Sequence, residues 1–215
     1  MDGRETGNGR SVAFEERGLI EAAQRGCADS ARTLIEAHQE RLHAFIWRMV
    51  RNQHDAEDIC QEAFLRAFKA LDTFNFSYRF STWLFTIGYR LCLNAMRRKR
   101  DYTGDVDFGT IASTGPDGET NASVCEEVAS SEEATRLKSV IWQAVDQLSP
   151  PQRATVLLFY RETLNCQDIG EILKMPASTV KSHLHRARGR LRKLLGQELV
   201  EDWSVVRHSS GIGAA

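Results

Sequence analysis

The chain has 215 residues, room for one large domain or two small ones. Its 28 Lys and Arg against 29 Asp and Glu leave a formal net charge of −1, which excludes a polycation. Any nucleic-acid surface must therefore be a local basic patch offset by acid elsewhere. Five cysteines form no CxxC pair, so reduced thiols in a cytoplasmic protein are expected. The sequence carries no signal-peptide pattern and no apolar run of membrane-spanning length.

Residues 1–14, Gly- and Arg-rich at their start, are expected to be disordered. Leu19 to Arg25 reads as a short helix ended by Gly26. A longer helix starts at Asp29 or Ser30, with an apolar stripe through Leu34, Ile35, Leu42, Phe45, Ile46 and Met49. His38 lies within that stripe and reads as a packed histidine. Asn52-Gln53-His54 breaks the helix. Asp55 is the expected cap of the next, with Asp58 three residues on. In the run DAEDICQEAFLRAFKAL, Ile59, Ala63, Phe64, Ala67, Phe68 and Leu71 face inward. Asp58, Gln61, Glu62 and Leu65 fall on another face, which reads either as a dock for a basic partner helix or as an ordinary solvated face.

DTFNFSYR, Asp72 to Arg79, is a loop with three aromatics. Aromatics beside positive charge suit stacking on unpaired bases. Phe74 and Phe80 are expected to fold onto the core, leaving Phe76 and Tyr78 free. A helix from about Ser81 to Arg100 packs through Trp83, Leu84, Ile87, Leu91 and Leu93. It ends in RRKR, which reads as a phosphate patch or as cationic capping of a helix terminus. Asp101 to Thr135 then holds nine Asp or Glu and no Lys or Arg, the composition of a flexible acidic linker.

A second helical unit starts near Ala134, with Leu137, Val140, Ile141, Ala144, Val145 and Leu148 on one face. Ser149-Pro150-Pro151-Gln152 is a helix start with Pro at the first position. Val156 to Tyr160 reads as a buried run. Asn165 to Leu195 then reads as two helices joined by a tight turn. Asn165 is an N-cap with Asp168 three residues on. Met175-Pro176-Ala177 ends the first helix, because the residue before proline is pushed out of the helical region. Gly170 allows close helix crossing, and Ser178 is the expected cap of the second helix. On a wheel of roughly 100° per residue, Val180, Leu184, Ala187 and Leu191 share one face. Lys181, Ser182, His185, Arg186, Arg192 and Lys193 lie opposite. Lys181 to Lys193 holds six Lys or Arg and no Asp or Glu. A helix–turn–helix places such a helix in the major groove, with its N-terminal half at the base edges. Gly196 ends the helix, and 201–215 form a tail in which Trp203 can pack back.

These residues carry a family resemblance. From about Leu19 to Leu195 the chain resembles an extracytoplasmic-function (ECF) sigma factor of the sigma-70 family. DAEDICQEAFLRAFKAL resembles the core-polymerase-binding segment of region two. FNFSYRFSTWLFTIGYRL resembles the promoter-melting segment, and LNAMRRKR its adjoining basic part. LSPPQRATVLLFYRETLNCQDIGEILKMPASTVKSHLHRARGRL resembles region four. The resemblance implies an all-α fold of two small helical domains, region two over 15–100 and region four over 134–200, joined by an acidic linker over 101–133. It implies polymerase binding through Asp58, Gln61, Glu62 and Leu65. It implies minus-ten contacts from Phe76, Tyr78, Arg79, Arg90, Arg97 and Arg98. Minus-thirty-five contacts would come from Thr179, Lys181, Ser182, His185, Arg186, Arg188, Arg192 and Lys193. The implied partners are the beta-prime and beta subunits of core RNA polymerase, promoter DNA and an anti-sigma factor, commonly membrane-linked. The chain itself would be cytoplasmic and not inserted in a membrane. No catalytic residue, cofactor or metal is implied.

Other classes fit less well. A response-regulator-type DNA binder has a similar final hairpin but needs an alternating strand–helix receiver, and the first hundred residues read as helices only. A regulator with a ligand-binding helical domain shares only the hairpin. A structural adaptor does not need six bases along one helix. An enzyme lacks a phosphate loop or nucleophile constellation here, and His183 and His185 point about 160° apart and cannot share one metal ion.

Overall fold

A computed structural model describes residues 7–103 and 132–196, with side chains over 15–100 and 137–196. Among these residues there is no strand. The linker over 104–131 and the tail from 197 onward, Trp203 included, lie outside the described residues.

The first unit comprises α1 (Gly7–Gln24), α2 (Ala28–Val50), α3 (Gln53–Lys69), a short 3-10 turn (Leu71–Thr73) and α4 (Phe80–Thr103). α1 reaches much further towards the N-terminus than the Leu19–Arg25 segment read from periodicity, which its polar first half obscures. α2 buries Leu34, His38, Leu42, Phe45, Ile46 and Met49, the expected stripe. Its last residue passes into Arg51, left-handed at φ 60°, and the chain turns at once into α3. Asn52 caps α3, not Asp55: its Oδ1 accepts from Asp55 N at 2.9 Å. Asp55 instead stands in the first turn, where a carboxylate complements the helix dipole. α4 lies close on α2 because Gly88 leaves room, an added Cβ standing 3.0 Å from Leu42 Cδ1. His38 is packed as expected, its Nε2 2.9 Å from Glu16 Oε1 and its ring against Phe80.

The second unit comprises α5 (Glu132–Asp146), α6 (Pro150–Val156), a π-helical turn (Leu157–Arg161), α7 (Cys166–Leu173) and α8 (Ala177–Leu195). α5, α6 and α7 all pack on α8. Val156, Leu157 and Leu158 are buried as the run implied, but the wider turn leaves Phe159 and Tyr160 at the edge. Thr163 follows at φ 52°, a left-handed conformation uncommon for a β-branched residue.

The two units are docked. α4 packs on α7, and α2 packs on α6. Arg41 donates through Nε (2.8 Å) and Nη2 (2.7 Å) to Glu162 Oε2, whose carboxylate is almost fully buried. Arg51 pairs with Asp146. The Arg48 guanidinium lies 3.5 Å over the Trp142 ring. Arg153 donates to Met49 O at 3.2 Å in the first unit, and to Asp146 O and Leu148 O in its own. Removing one partner from such a buried cluster costs about 3–5 kcal/mol. Arg153→Ala should destabilise the chain by about that much in denaturant unfolding. It should also raise the radius of gyration in small-angle scattering, while Arg153→Lys, which keeps the charge without the fork, recovers only part.

Candidate polymerase and nucleic-acid interface

Three surfaces gather the residues singled out from the sequence. The first is α3. Asp58, Gln61 and Leu65 are exposed, and Leu65, at 66% exposure, is the most open large apolar side chain among the described residues. Glu62 is half-buried and pairs with Arg66 Nε at 2.6 Å. The opposite face buries Ala56, Ile59, Cys60, Ala63, Phe64 and Ala67. The four residues thus share one acidic, leucine-centred face.

The second surface is the aromatic loop and the α4 that follows it. Asn75 Oδ1 accepts from Ser77 N at 2.9 Å, and Tyr78 N donates to Asn75 O at 3.1 Å. Across this local turn Asn75 to Arg79 face solvent, and only the flanking Phe74 and Phe80 turn inward. Phe74 and Phe80 are buried against each other and Trp83. Phe76 (36%) and Tyr78 (47%) are exposed, the division expected from sequence. Phe76 is not bare, however. It meets Phe74 edge-on at 5.2 Å, and the Arg17 guanidinium of α1 stands 4.7 Å from its ring centroid. Arg79, Arg90, Arg97 and Arg98 are all exposed.

The third is the helix–turn–helix. Asn165 caps α7 through Oδ1, accepting from Gln167 N (2.8 Å) and Asp168 N (2.9 Å), while its Nδ2 donates to Asp168 Oδ2 at 2.9 Å. Lys174, left-handed at φ 55°, closes α7. The crowding at Gly170 comes from the turn and not from a crossing helix: an added Cβ would stand 2.6 Å from Met175 O. Met175 N in turn donates to Gly170 O at 2.9 Å. The residue before α8 is Pro176, with no side-chain cap, so the cap expected at Ser178 is not there. Ser178 lies within the first turn, its carbonyl accepting from Ser182 Oγ at 3.0 Å.

α8 buries Val180, Leu184, Ala187 and Leu191. Lys181, Ser182, His185, Arg186, Arg192 and Lys193 are exposed on the opposite side, and Thr179 is half-buried at its start. Arg188 stands apart from them. It is half-buried and donates through Nε to Tyr160 Oη at 2.8 Å, with Phe159 beside it. Its guanidinium ties α8 to the π-helical turn. His185, Arg186, Gly189, Arg190 and Lys193 line a shallow groove. Sequence reasoning missed Arg190, although it lies one turn beyond Arg186 on the basic face. His183, half-buried and outside that groove, is held below its ordinary pKa by burial and by Arg186.

Cys60 and Cys92 are buried thiols pushed up to about 11 and about 12 by loss of solvent, which keeps them protonated and inert. Among the described residues no helix is long and apolar enough to cross a membrane.

Comparison with known proteins agrees with this arrangement. The sigma-70 region 2 model matches residues 34–102, and the sigma-70 region 4 model matches residues 138–191. The two docked units are therefore the region 2 and region 4 domains of a sigma-70-type factor. The ECF RNA polymerase sigma factor SigW of Bacillus subtilis is 34% identical over 82% of this chain and 94% of its own. The ECF RNA polymerase sigma-E factor of Escherichia coli is 27% identical over 83% and 93%. The sigma factor RpoE of Bartonella quintana, solved with the anti-sigma factor NepR, has the same fold, with a TM-score of 0.60 at 24% identity over 76% of this chain and 95% of that one. The chain belongs to the ECF family of RNA polymerase sigma factors, which direct promoter-specific transcription initiation.

The carbonyl at Met175 leaves no space at Gly170 for a side chain, and backbone cannot yield as a side chain can. Gly170→Ala should destabilise the region 4 unit by about 1–3 kcal/mol in thermal unfolding. It should weaken duplex binding by the same holoenzyme more than it weakens assembly with core polymerase.

Proposed function

We propose that the chain assembles with core RNA polymerase through α3 and reads promoters through two separate DNA surfaces. The observation that carries the DNA reading is the one-sided basic face of α8, opposite a wholly apolar buried face and preceded by a tight, capped turn. Lys181, Ser182, His185 and Arg186 lie in the first half of the helix, where groove contacts concentrate. Arg186 and Lys181 suit guanine, whose O6 and N7 accept together. Arg190, Arg192 and Lys193 lie further along and suit phosphate, and Thr179 borders the base-reading half. Arg188 supports the helix from behind. The minus-ten element is read as single strand, by Phe76 and Tyr78 stacking on bases and by Arg79, Arg90, Arg97 and Arg98 on the backbone. Asp58, Gln61, Glu62 and Leu65 meet a basic helix of beta-prime, and region 4 meets beta. The protein acts in the cytoplasm as a non-enzymatic initiation factor without metal or cofactor. An anti-sigma factor is a further partner. Support for it comes from the Bartonella relative, solved with NepR.

Charge reversal at Asp58 and Glu62 should weaken holoenzyme formation in a competition assay while far-ultraviolet circular dichroism stays helical. The side chains are solvent-facing, and the Glu62–Arg66 pair lost with them is worth only about 0.3–0.5 kcal/mol. Unchanged affinity would remove this face from the polymerase interface.

Base and phosphate contacts fail differently. Arg186→Ala should cost about 1–3 kcal/mol on the best promoter and flatten discrimination at one or two minus-thirty-five positions. Lys193→Ala should weaken all promoters alike and lower the salt dependence by about one phosphate contact. A panel of single-base promoter variants, bound by holoenzyme at two salt concentrations, separates them. Equal loss on every promoter for Arg186→Ala would make it a phosphate anchor.

A further inference from the structure

We propose that Arg17 is the movable jaw of the minus-ten base site, closing over a base that stacks on Phe76. The proposal rests on the reading of the aromatic loop as a base-capturing element. Arg17 lies outside every motif that marks that loop in the sequence, and α1 brings it there.

The placement is built. Three contacts fix α1 on either side of Arg17. Glu16 meets His38 at 2.9 Å, Ile20 is buried in the core, and Gln24 Nε2 donates to Leu71 O at 2.9 Å, just ahead of the loop. The backbone at Arg17 is therefore held against the loop. Its side chain is not. It is 58% exposed, and Nε meets only Glu21 Oε1, at 2.9 Å, in an exposed pair one turn away. Such pairs are worth little and hold a long side chain loosely.

The chemistry follows from the shapes. A guanidinium is planar and stacks on an aromatic face, and Arg planes stack on unpaired bases as aromatics do. Arg17 now stands 4.7 Å from the Phe76 centroid. A base between them needs two contacts of about 3.5 Å, or about 7 Å in all. The guanidinium must retreat by the difference between about 7 Å and 4.7 Å, about 2 Å, which a flexible, solvated side chain makes without moving α1. The guanidinium thus lies over part of the Phe76 ring, and with a base between them it supplies a second stacking face. Phe76 cannot retreat in the same way, because Phe74 backs its edge and is itself packed on Trp83 and Phe80.

The test uses holoenzyme and a full promoter, with permanganate reactivity of the minus-ten strand as the readout of open complex. Assembly with core and binding to a minus-thirty-five duplex serve as controls. Arg17→Ala should lower open complex about 5- to 10-fold, with assembly and duplex binding unchanged. Arg17→Lys keeps the charge and loses the plane, so it should remain well below wild type. Arg17→Ala added to Phe76→Ala should cost little more than Phe76→Ala alone, because both remove one sandwich. Full activity of Arg17→Lys, or additive losses in the double variant, would make Arg17 a general charge and overturn the proposal. If Phe76→Ala lowers open complex and Arg17→Ala does not, the jaw is wrong and the loop reading stands. If Phe76→Ala and Tyr78→Ala together leave melting intact, the loop reading fails and takes the jaw with it. Should Arg17→Ala loosen α1 and lower thermal stability, Arg17→Gln, which keeps most of the length without charge, replaces it in the same series.

Discussion

Arg153 holds the molecule in its docked form through one planar group reaching two helix ends. α2 stops at Val50, and the carbonyls of its last turn, like those of any helix, have no partner within the helix. One of them, Met49 O, accepts from Arg153, whose other donors take the carbonyls of Asp146 and Leu148 where α5 turns into α6. Arg51, left-handed at the end of α2, turns its own guanidinium onto Asp146. A fixed fork of five donors suits this task, and a lysine ammonium does not. The relation between the region 2 and region 4 domains is therefore set by hydrogen bonds at helix ends as well as by the packing of α4 on α7.

This kind of contact is separable. Ion pairs gain in a low dielectric what they lost on leaving water only when every donor and acceptor is matched. Asp146 Oδ1, Arg48 Nε and Arg153 Nε have no partner among the described residues. Burial pushes the Asp146 carboxyl up against the pull of Arg51, Arg153 and Arg48. A carboxyl raised in the docked state favours that state below its ordinary pKa and loses the contribution as pH rises through the raised one. Burial of Asp146 thus opposes its charge while the three arginines favour it, and the cluster is poised more than locked. Arg48, brought down to about 10 by burial, stays charged and keeps its place over Trp142.

The parts of the molecule that could be seen in the sequence are those fixed within one helix or one turn. The α8 wheel separates Val180, Leu184, Ala187 and Leu191 from Lys181, Ser182, His185 and Arg186 because a single period of about 3.6 governs the whole helix. The Asn165 cap follows from neighbours two and three residues away, and the inward Phe74 from Phe80 and Trp83, also close along the chain. Where two residues competed for one role, local reasoning could choose wrongly. Asn52 took the cap expected of Asp55 because the helix begins three residues earlier, and Pro176 took the position before α8 that was expected of Ser178. Arg188 shows the other limit. Its charge belongs to the basic run, but Tyr160, 28 residues away, claims its guanidinium. Arg153 on Met49 and Arg17 on Phe76 are of the same kind, since nothing local to either residue marks the partner.

Docking also bears on how the two DNA surfaces work together. On the proposed reading, α8 meets an element near position minus thirty-five and the aromatic loop one near minus ten. About 25 base pairs at about 3.4 Å each separate such elements by about 85 Å along straight B-form DNA. A compact chain with as many residues as are described here has a radius of gyration of only about 15 Å. The docked form therefore cannot lay both surfaces on their elements at once. The contacts that must break are the ones Arg153, Asp146, Arg41 and Glu162 make. The Arg41–Glu162 pair is one of them, and opening it returns an almost fully buried carboxylate to water. On the same reading, polymerase binding at α3 leaves this cluster untouched, since Asp58, Gln61 and Leu65 lie on the solvent side of the helix. On the proposed reading, assembly and opening are then physically separate steps, and the contacts between the two units, from Arg41–Glu162 to Arg153 on Met49, set the cost of the second.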